Sequence, residues 1–178
     1  MAPDGSIIQA FADSLKLVGA ADAMIDARRD ANGVMTIDIA GSYLNVAPMI
    51  VNFLDQGFGP GGEGESQYAV KANFERVQLR KGAELADAAI SLQKKGARYS
   101  AFDFIATDAQ GRRVTIALDD GAGSGVQTVL AKSQDIGSLL EGVFSISSVK
   151  GGSGVLQFDV IPGDSAGAHG PDGTLSAN

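Results

Sequence analysis

Apolar and polar residues alternate with a period of two along most of this chain, and this alternation is typical of half-buried β-strands. Val34–Ala40 is the clearest case, because every second residue in it is a large apolar one. Similar segments follow at Tyr68–Phe74, Arg76–Arg80, Ala86–Gln93, Phe102–Thr107, Arg113–Asp119, Val126–Ala131 and Leu156–Val160. The pattern therefore predicts a protein built mainly from strands.

The region before these strands is ambiguous, because residues 6–29 fit either a helix or a strand by their spacing. We favour strands at Ala12–Val18 and Ala23–Arg28. Asn32-Gly33, a strong two-residue hairpin signal, then joins the second of them to the strand that follows.

Short turns separate the later strands, and their composition is that of reverse turns. They are Lys81-Gly82, Lys95-Gly96, Asp108–Gly111 and Asp119–Gly121. Connections this short force neighbouring strands to pair antiparallel, since parallel pairing needs a long crossover. The expected fold is mainly β: a long, twisted antiparallel meander with one apolar and one polar face.

Two short helices interrupt this succession of strands. Pro48 fits the first turn of a helix that ends at Gly57, with Asn45 as its N-cap. Its apolar stripe is Met49, Ile50, Phe53 and Leu54. The second helix is predicted to begin at an N-cap on Ser133, with Asp135 in its first turn. Its apolar face is Ile136, Leu139, Leu140 and Val143.

Length and composition favour one folded domain followed by a tail. At 178 residues, with 44% hydrophobic residues, the chain is long enough to bury a core. Residues 1–161 are assigned to a single β domain, with a flexible glycine-rich loop at about residues 57–66. Residues 162–178 are rich in Gly, Ser, Ala, Pro and Asp, and they are predicted to be a disordered tail.

Charge and side-chain chemistry argue against nucleic-acid binding and against the common catalytic sites. The formal net charge of −7 disfavours binding to nucleic acid. The chain has no cysteine, and its one histidine, His169, lies in the predicted tail, so the usual zinc sites and Ser-His or Cys-His nucleophiles are not expected. Asp119-Asp120 is the best candidate for a metal or acid/base site, although turn residues are the simpler interpretation. We therefore expect no enzymatic activity and no cofactor.

The apolar face of the meander is the strongest candidate for a binding surface. Its residues are Ile37, Ile39, Val70, Phe74, Ile90, Leu92, Phe102, Phe104, Val114, Ile116, Leu118, Leu156 and Phe158. Burying each such side chain is worth roughly 1.5–3 kcal/mol, so the face must be covered by a second layer or by a ligand. Residue patterns alone leave a closed core and an open groove equally plausible.

Two segments resemble AsmA-like proteins, close to the C-terminal region of the YhdP type. One is Leu130–Phe158, LAKSQDIGSLLEGVFSISSVKGGSGVLQF, which resembles the strand, helix start, Leu-Leu helix, Gly-Gly and strand of that family. The other is Ile39–Met49, IAGSYLNVAPM, which is similar to a family segment with Gly, Leu-Asp and Pro-Leu. The departures are Gln134 and Ile136 in the first segment and Asn45, where Asp is usual, in the second. The resemblance covers roughly residues 10–160.

The resemblance implies a function and a cellular location. AsmA-like proteins resemble bridge-like lipid carriers, in which a curled sheet forms a trough for acyl chains. The implied function is phospholipid transport between the inner and outer membranes, in support of outer-membrane biogenesis, with the thirteen apolar residues lining the groove. The chain would be a periplasmic portion of a parent protein anchored in the inner membrane.

Another class of function fits the same residues. A closed β module with no ligand, serving a structural or interaction role, would bury the apolar face internally. Its exposed edge strands could pair with a partner or with a second copy by strand addition.

Overall fold

The computed structural model describes residues 8–56, 67–96, 98–119, 127–160 and 172–177. The strands are β1 (Gln9–Leu17), β2 (Ala21–Arg29), β3 (Met35–Asn45), β4 (Tyr68–Gln78), β5 (Glu84–Lys95), β6 (Arg98–Thr107), β7 (Arg113–Asp119), β8 (Gln127–Ser133), β9 (Gly154–Val160) and β10 (Asp172–Ala177). The helices are α1 (Ala47–Gln56) and α2 (Ile136–Phe144), and a short 3-10 turn spans Arg80–Gly82.

All the strands form one open sheet whose spatial order is the order of the chain, β1 to β10. The alternating pattern therefore predicted the fold class correctly: the protein is mainly β, a largely antiparallel meander with two short helices. The ambiguous N-terminal region forms strands, as expected. Its hairpin turn is closed by the Asp30 carboxylate, which accepts hydrogen bonds from the backbone N–H groups of Asn32 and Val34 at 2.8 and 2.9 Å.

One strand pair departs from the antiparallel prediction. β3 and β4 are parallel, with Ile37 opposite Val70 and Ile39 opposite Ala72. The reason is the connection between them, which contains α1 and the residues up to Gln67 and is long enough to return the chain to the same end of the sheet. Every other pair of neighbouring strands in the described sheet is antiparallel.

The first helix begins where its sequence signals place it. The Asn45 side-chain oxygen accepts a hydrogen bond from the Ala47 N–H at 3.0 Å, and its amide group donates to the carbonyl of Gly19. Ile50 packs against the core, whereas Met49 is exposed. The Phe53 and Leu54 side chains of the predicted apolar stripe, and the loop at 57–66, lie outside the described residues.

The second helix begins two residues later than predicted. Asp135, rather than Ser133, is its N-cap, and the Asp135 carboxylate accepts a hydrogen bond from the Ser138 N–H at 3.0 Å. Ser133 is instead the last residue of β8, opposite Val114, and its hydroxyl accepts from the Asp135 N–H. The strand continues to Ser133 because its backbone pairs with β7 and with β9, so the helix can start only after the chain has left the sheet.

Part of the segment predicted to be a disordered tail forms a strand. Residues 161–171 lie outside the described residues, but Asp172–Ala177 form β10 and pair antiparallel with β9. The outer edge of β9 has backbone donors and acceptors that need partners, and a tail with few large side chains can supply them. Composition alone carried no signal for this backbone pairing.

The core lies under α2, at one end of the sheet. The most deeply buried large side chains are Ile136 in α2, Val77 in β4 and Val114 in β7. Leu139 and Leu140 of the same helix are also buried, as the helical spacing predicted. Helix α2 therefore supplies the second layer over this end of the apolar face.

A clamp of three charged side chains fixes the start of α2. Arg112 donates through Nε to the Asp108 carboxylate and through Nη2 to the Asp135 carboxylate, both at 2.7 Å. The pKa of Asp135 is lowered first by the hydrogen bond from the Ser138 N–H, against a smaller opposing effect of burial. For Asp108 burial acts most strongly and raises the pKa, but the hydrogen bonds from Arg112 and the Gln110 N–H together outweigh it, so this pKa is also lowered.

A glycine and an aromatic ring pack closely where β2 is irregular. The register of β2 against β3 shifts between Asp22 and Ala23, and Gly41 lies opposite that point. A Cβ atom on Gly41 would lie 2.7 Å from Cε1 of Phe74 and would also collide with the Asp22 carbonyl oxygen. The Phe74 ring is buried and covers the glycine, so this position has no room for a side chain.

We expect the substitution Gly41→Ala to lower the free energy of unfolding by about 1–3 kcal/mol, the usual cost of overpacking, because the added methyl group meets a backbone oxygen that cannot rotate away. Urea unfolding followed by circular dichroism would measure it. Ala40→Ser is the matched control, since Ala40 is the preceding residue and is exposed. Equal stability of Gly41→Ala and the wild type would contradict the packing described.

The clamp predicts a stability that depends on acid pH. The pKa values of Asp108 and Asp135 are lower in the folded protein than their ordinary values near 4. The two ionised carboxylates therefore add their full share to the free energy of unfolding above pH 4, and this share is lost as the pH falls through the folded-state pKa values. Asp135→Asn should lower the free energy of unfolding by about 1 kcal/mol at neutral pH. Below neutral pH, the stability of this variant should fall less steeply with pH than that of the wild type.

Urea midpoints measured from pH 7 down to pH 2 would test this dependence, with Asp103→Asn as control because Asp103 is exposed. The control should keep the steep acid limb of the wild-type protein. An acid limb of the same slope in Asp135→Asn would show that the clamp does not contribute.

Candidate functional site

Strand register places the predicted apolar residues on one face of the sheet. Residues that are direct cross-strand partners project to the same side, as do residues two apart along a strand. One row of partners runs through Ile39, Ala72, Ile90, Phe104, Ile116, Ala131 and Leu156. A second runs through Ile37, Val70, Leu92 and Phe102, and a third through Leu118, Val129 and Phe158. We call this side of the sheet the apolar face.

The thirteen predicted residues differ in how deeply they are buried. Phe74, Phe104, Val114 and Leu156 are buried and belong to the core. The other nine are half-buried: Ile37, Ile39, Val70, Ile90, Leu92, Phe102, Ile116, Leu118 and Phe158. The structure thus joins most of the predicted set to the core, because five of the half-buried residues pack against the buried ones: Ile39, Ile90, Phe102, Ile116 and Phe158. Ile37, Val70, Leu92 and Leu118 remain outside this cluster.

The boundary between the two parts follows the position of α2. Buried positions such as Ala106 and Val114 lie towards the end of the sheet where the helix packs. Towards the other end, Ile37, Val70 and Leu92 are cross-strand partners that take no part in the described core cluster. These three residues, with Phe102 as the next partner, are called the open row.

A polar and aromatic group lies next to the open row, at the end of the apolar face farthest from α2. Lys94 follows Leu92 on the same side of β5 and is paired with Tyr68 on one side and Tyr99 on the other. Its ammonium lies over the Tyr68 ring, 5.7 Å from the ring centroid. Gln127 donates from its side-chain amide to the Tyr99 carbonyl at 2.6 Å. We call these four residues the polar end.

The polar end is buried although it contains a charge. Lys94 is only 6% exposed and Gln127 only 2%. Burial, and then the hydrogen bond with Tyr99, raise the pKa of Tyr68 to about 12, so its hydroxyl stays protonated at neutral pH. In the described part of the chain no carboxylate forms an ion pair with Lys94.

Sequence reasoning did not find the polar end. The alternation Ile90, Leu92, Lys94 was a usable signal, because period two puts Lys94 on the same side as the two apolar residues before it. The predicted strand ends at Gln93 and the predicted turn begins at Lys95, so Lys94 belonged to neither. Tyr68 shares the side of Val70 by the same period, whereas Tyr99 gave no such signal, since a bulge between Gln93 and Lys94 shifts the register that aligns it.

The opposite side of the sheet carries a shallow depression at the irregular part of β2 and β3. Its lining residues are Met24, Ala40, Gly41, Asn73, Phe74, Glu75, Asp87 and Ala88. Asp87 has a positive φ of 51°, which is uncommon for a residue with a side chain, and it marks the bulge in β5. The lining mixes polar side chains with apolar ones such as Met24 and Phe74, and apolar surface exceeds polar surface in it.

The other sequence candidates contribute little to a site. Asp119 ends β7 and is exposed, while Asp120, the glycine-rich segment 121–125 and His169 lie outside the described residues. Within the ranges that the structure describes, no group of three or more acidic, histidine or cysteine side chains is arranged to hold a metal ion. Helices of the length and apolarity needed to cross a membrane are likewise not found there.

Comparisons of the chain with protein-family models, with curated proteins and with solved structures found no match.

Proposed function

We propose that this protein is a non-enzymatic, AsmA-like lipid-binding segment whose apolar face, curled into a groove, binds the acyl chains of phospholipids. In the parent protein, anchored in the inner membrane, the groove would carry lipid across the periplasm to the outer membrane. The sequence resemblance described above and the accessible part of the apolar face both support this proposal.

The open row is the observation on which the proposal depends. Ile37, Val70, Leu92 and Phe102 are large apolar side chains on adjacent strands, and each is half-buried. Full burial of an exposed side chain of this size is worth roughly 1.5–3 kcal/mol, so covering the part that is still exposed would contribute a fraction of that for each residue. A contiguous apolar patch of this kind commonly marks a binding surface.

The proposed mechanism needs no covalent chemistry. Acyl chains displace water from the open row, and the free energy gained is that of ordinary apolar burial. The head groups stay at the end or rim of the face, where polar groups and water can solvate them. Because apolar contact is not directional, such a surface tolerates chains of different length and can let them slide, as transport requires.

Substitution of the open row should abolish acyl binding without unfolding the protein. We expect Phe102→Asp to weaken binding of a fluorescent fatty acid at least tenfold, since it removes apolar contact worth more than about 1.4 kcal/mol and adds a charge. Phe102 is half-buried and packs against the core cluster from outside, so it is preferable to Phe104, which is buried within that cluster and whose loss would destabilise the fold more. Fluorescence titration gives the affinity, and lipid extraction with mass spectrometry identifies co-purified phospholipid.

Ile105→Asp is the matched control for Phe102→Asp. Ile105 lies in the same strand, is 39% exposed and projects to the opposite side of the sheet. The control should bind the fatty acid as the wild type does. Equal binding by all three proteins, or a wild-type protein that takes up no acyl probe, would contradict the proposal.

An exposed edge strand favours a second candidate function, that of an interaction module. Among the described strands only β2 pairs with β1, and Phe11 and Leu17 in β1 are 58% and 52% exposed. A strand with a free edge and exposed apolar residues can accept another strand by β-augmentation. This interpretation predicts concentration-dependent self-association that Phe11→Lys reduces, measured by analytical ultracentrifugation. A monomer at all concentrations would exclude self-pairing through β1.

A further inference from the structure

Lys94 is almost fully buried, and within the described residues no carboxylate forms an ion pair with it. Its side chain is 6% exposed, and its one described interaction is with the face of the Tyr68 ring at 5.7 Å. A cation–π contact of this kind is worth about 0.5–2 kcal/mol. Among the described residues no buried side-chain nitrogen lacks a hydrogen-bond partner, so the stem of Lys94 is buried while its ammonium, for which no hydrogen bond is described, keeps contact with solvent. An ammonium that reaches solvent at the end of an apolar surface is suited to an anion that binds from outside.

The position of Lys94 on the sheet indicates what kind of molecule would bring that anion. The lysine directly follows Ile90 and Leu92 on the same side of β5, and Leu92 is one of the four residues of the open row. The open row crosses the four strands β3 to β6 and therefore extends roughly 14 Å across the sheet. A ligand that fits this arrangement has a long apolar chain and one anionic end.

We infer that Lys94, with Tyr68 and Tyr99 beside it, binds the anionic head group of an acyl lipid whose chain lies along the open row. This inference rests on the proposed function and specifies it further. The ammonium would pair with a carboxylate or phosphate oxygen, and the Tyr68 ring would hold the lysine in position.

Two probes that differ only in charge test the inference. A fluorescent long-chain fatty acid and its methyl ester share the same chain, but the ester carries no anion. We expect the wild-type protein to bind the acid about tenfold or more tightly than the ester, because a charge-assisted contact is added to the same apolar contact. Lys94→Met should reduce the affinity for the acid to that for the ester, whereas Lys94→Arg should retain most of the preference.

Lys95→Met is the matched control. Lys95 is the next residue in the same strand, is exposed, and projects to the opposite side of the sheet. Its loss removes the same formal charge but should leave both affinities unchanged. Circular dichroism and urea unfolding of the three variants separate an effect on binding from an effect on the fold.

The outcomes distinguish this inference from the proposed function. If neither probe binds the wild-type protein, acyl binding itself is refuted. If both probes bind equally and Lys94→Met changes neither, the groove binds chains but Lys94 does not bind the head group. If inorganic phosphate binds in a Lys94-dependent way and the fatty acid does not compete with it, the anion is a free one and the inference is overturned.

Discussion

The packing of α2 against one end of the sheet is the interaction on which the rest of the structure depends. A single sheet buries nothing unless a second layer covers one of its faces. Here Ile136, Leu139 and Leu140 supply that layer. At the opposite end of the helix, Gly142 approaches Leu79 so closely that a Cβ atom would lie 2.9 Å from the leucine Cδ1.

Both ends of α2 are held by groups from the sheet connections. At its start, the N–H groups of Ile136 and Gly137 donate to the carbonyls of Gly152 and Gly151, which satisfies donors that a helix leaves unpaired. At its end, Arg80 donates to the Val143 carbonyl, one of the acceptors that the helix leaves unpaired. With Arg112 bridging two carboxylates, α2 cannot slide along the face, so the boundary between covered and accessible apolar surface is fixed.

Sequence patterns predicted what depends on local chemistry and missed what depends on distant partners. Period two located most of the strands, and the face it assigned to the apolar residues agrees with the register. The hairpin at Asn32-Gly33 and the cap at Asn45 also follow from neighbouring residues. In contrast, Asp135 becomes the N-cap because β8 pairs with β7 as far as Ser133, so the helix can begin only after that residue. Likewise, β10 forms because its backbone pairs with the outer edge of β9.

The same distinction explains the candidate site. The apolar set could be predicted because hydrophobicity is a property of each residue, but its division into buried and half-buried members depends on where α2 lies. Lys94 illustrates the opposite case: its residue type indicates a solvated position, whereas its place in the alternation of β5 and its cross-strand partners, Tyr68 and Tyr99, put it on the apolar face.

A lysine in that position is hard to explain by stability alone. Replacing a buried charge by an apolar side chain of similar length commonly leaves stability unchanged or raises it, provided that no partner is left unpaired. No described carboxylate would be left unpaired if Lys94 were apolar, so the fold gains little from its charge. For packing alone, a methionine at this position would serve as well, because the aliphatic stem of lysine packs much as a methionine side chain does. What an apolar residue could not supply is a positive charge at the end of an apolar surface, and that property matters only when something negatively charged binds there.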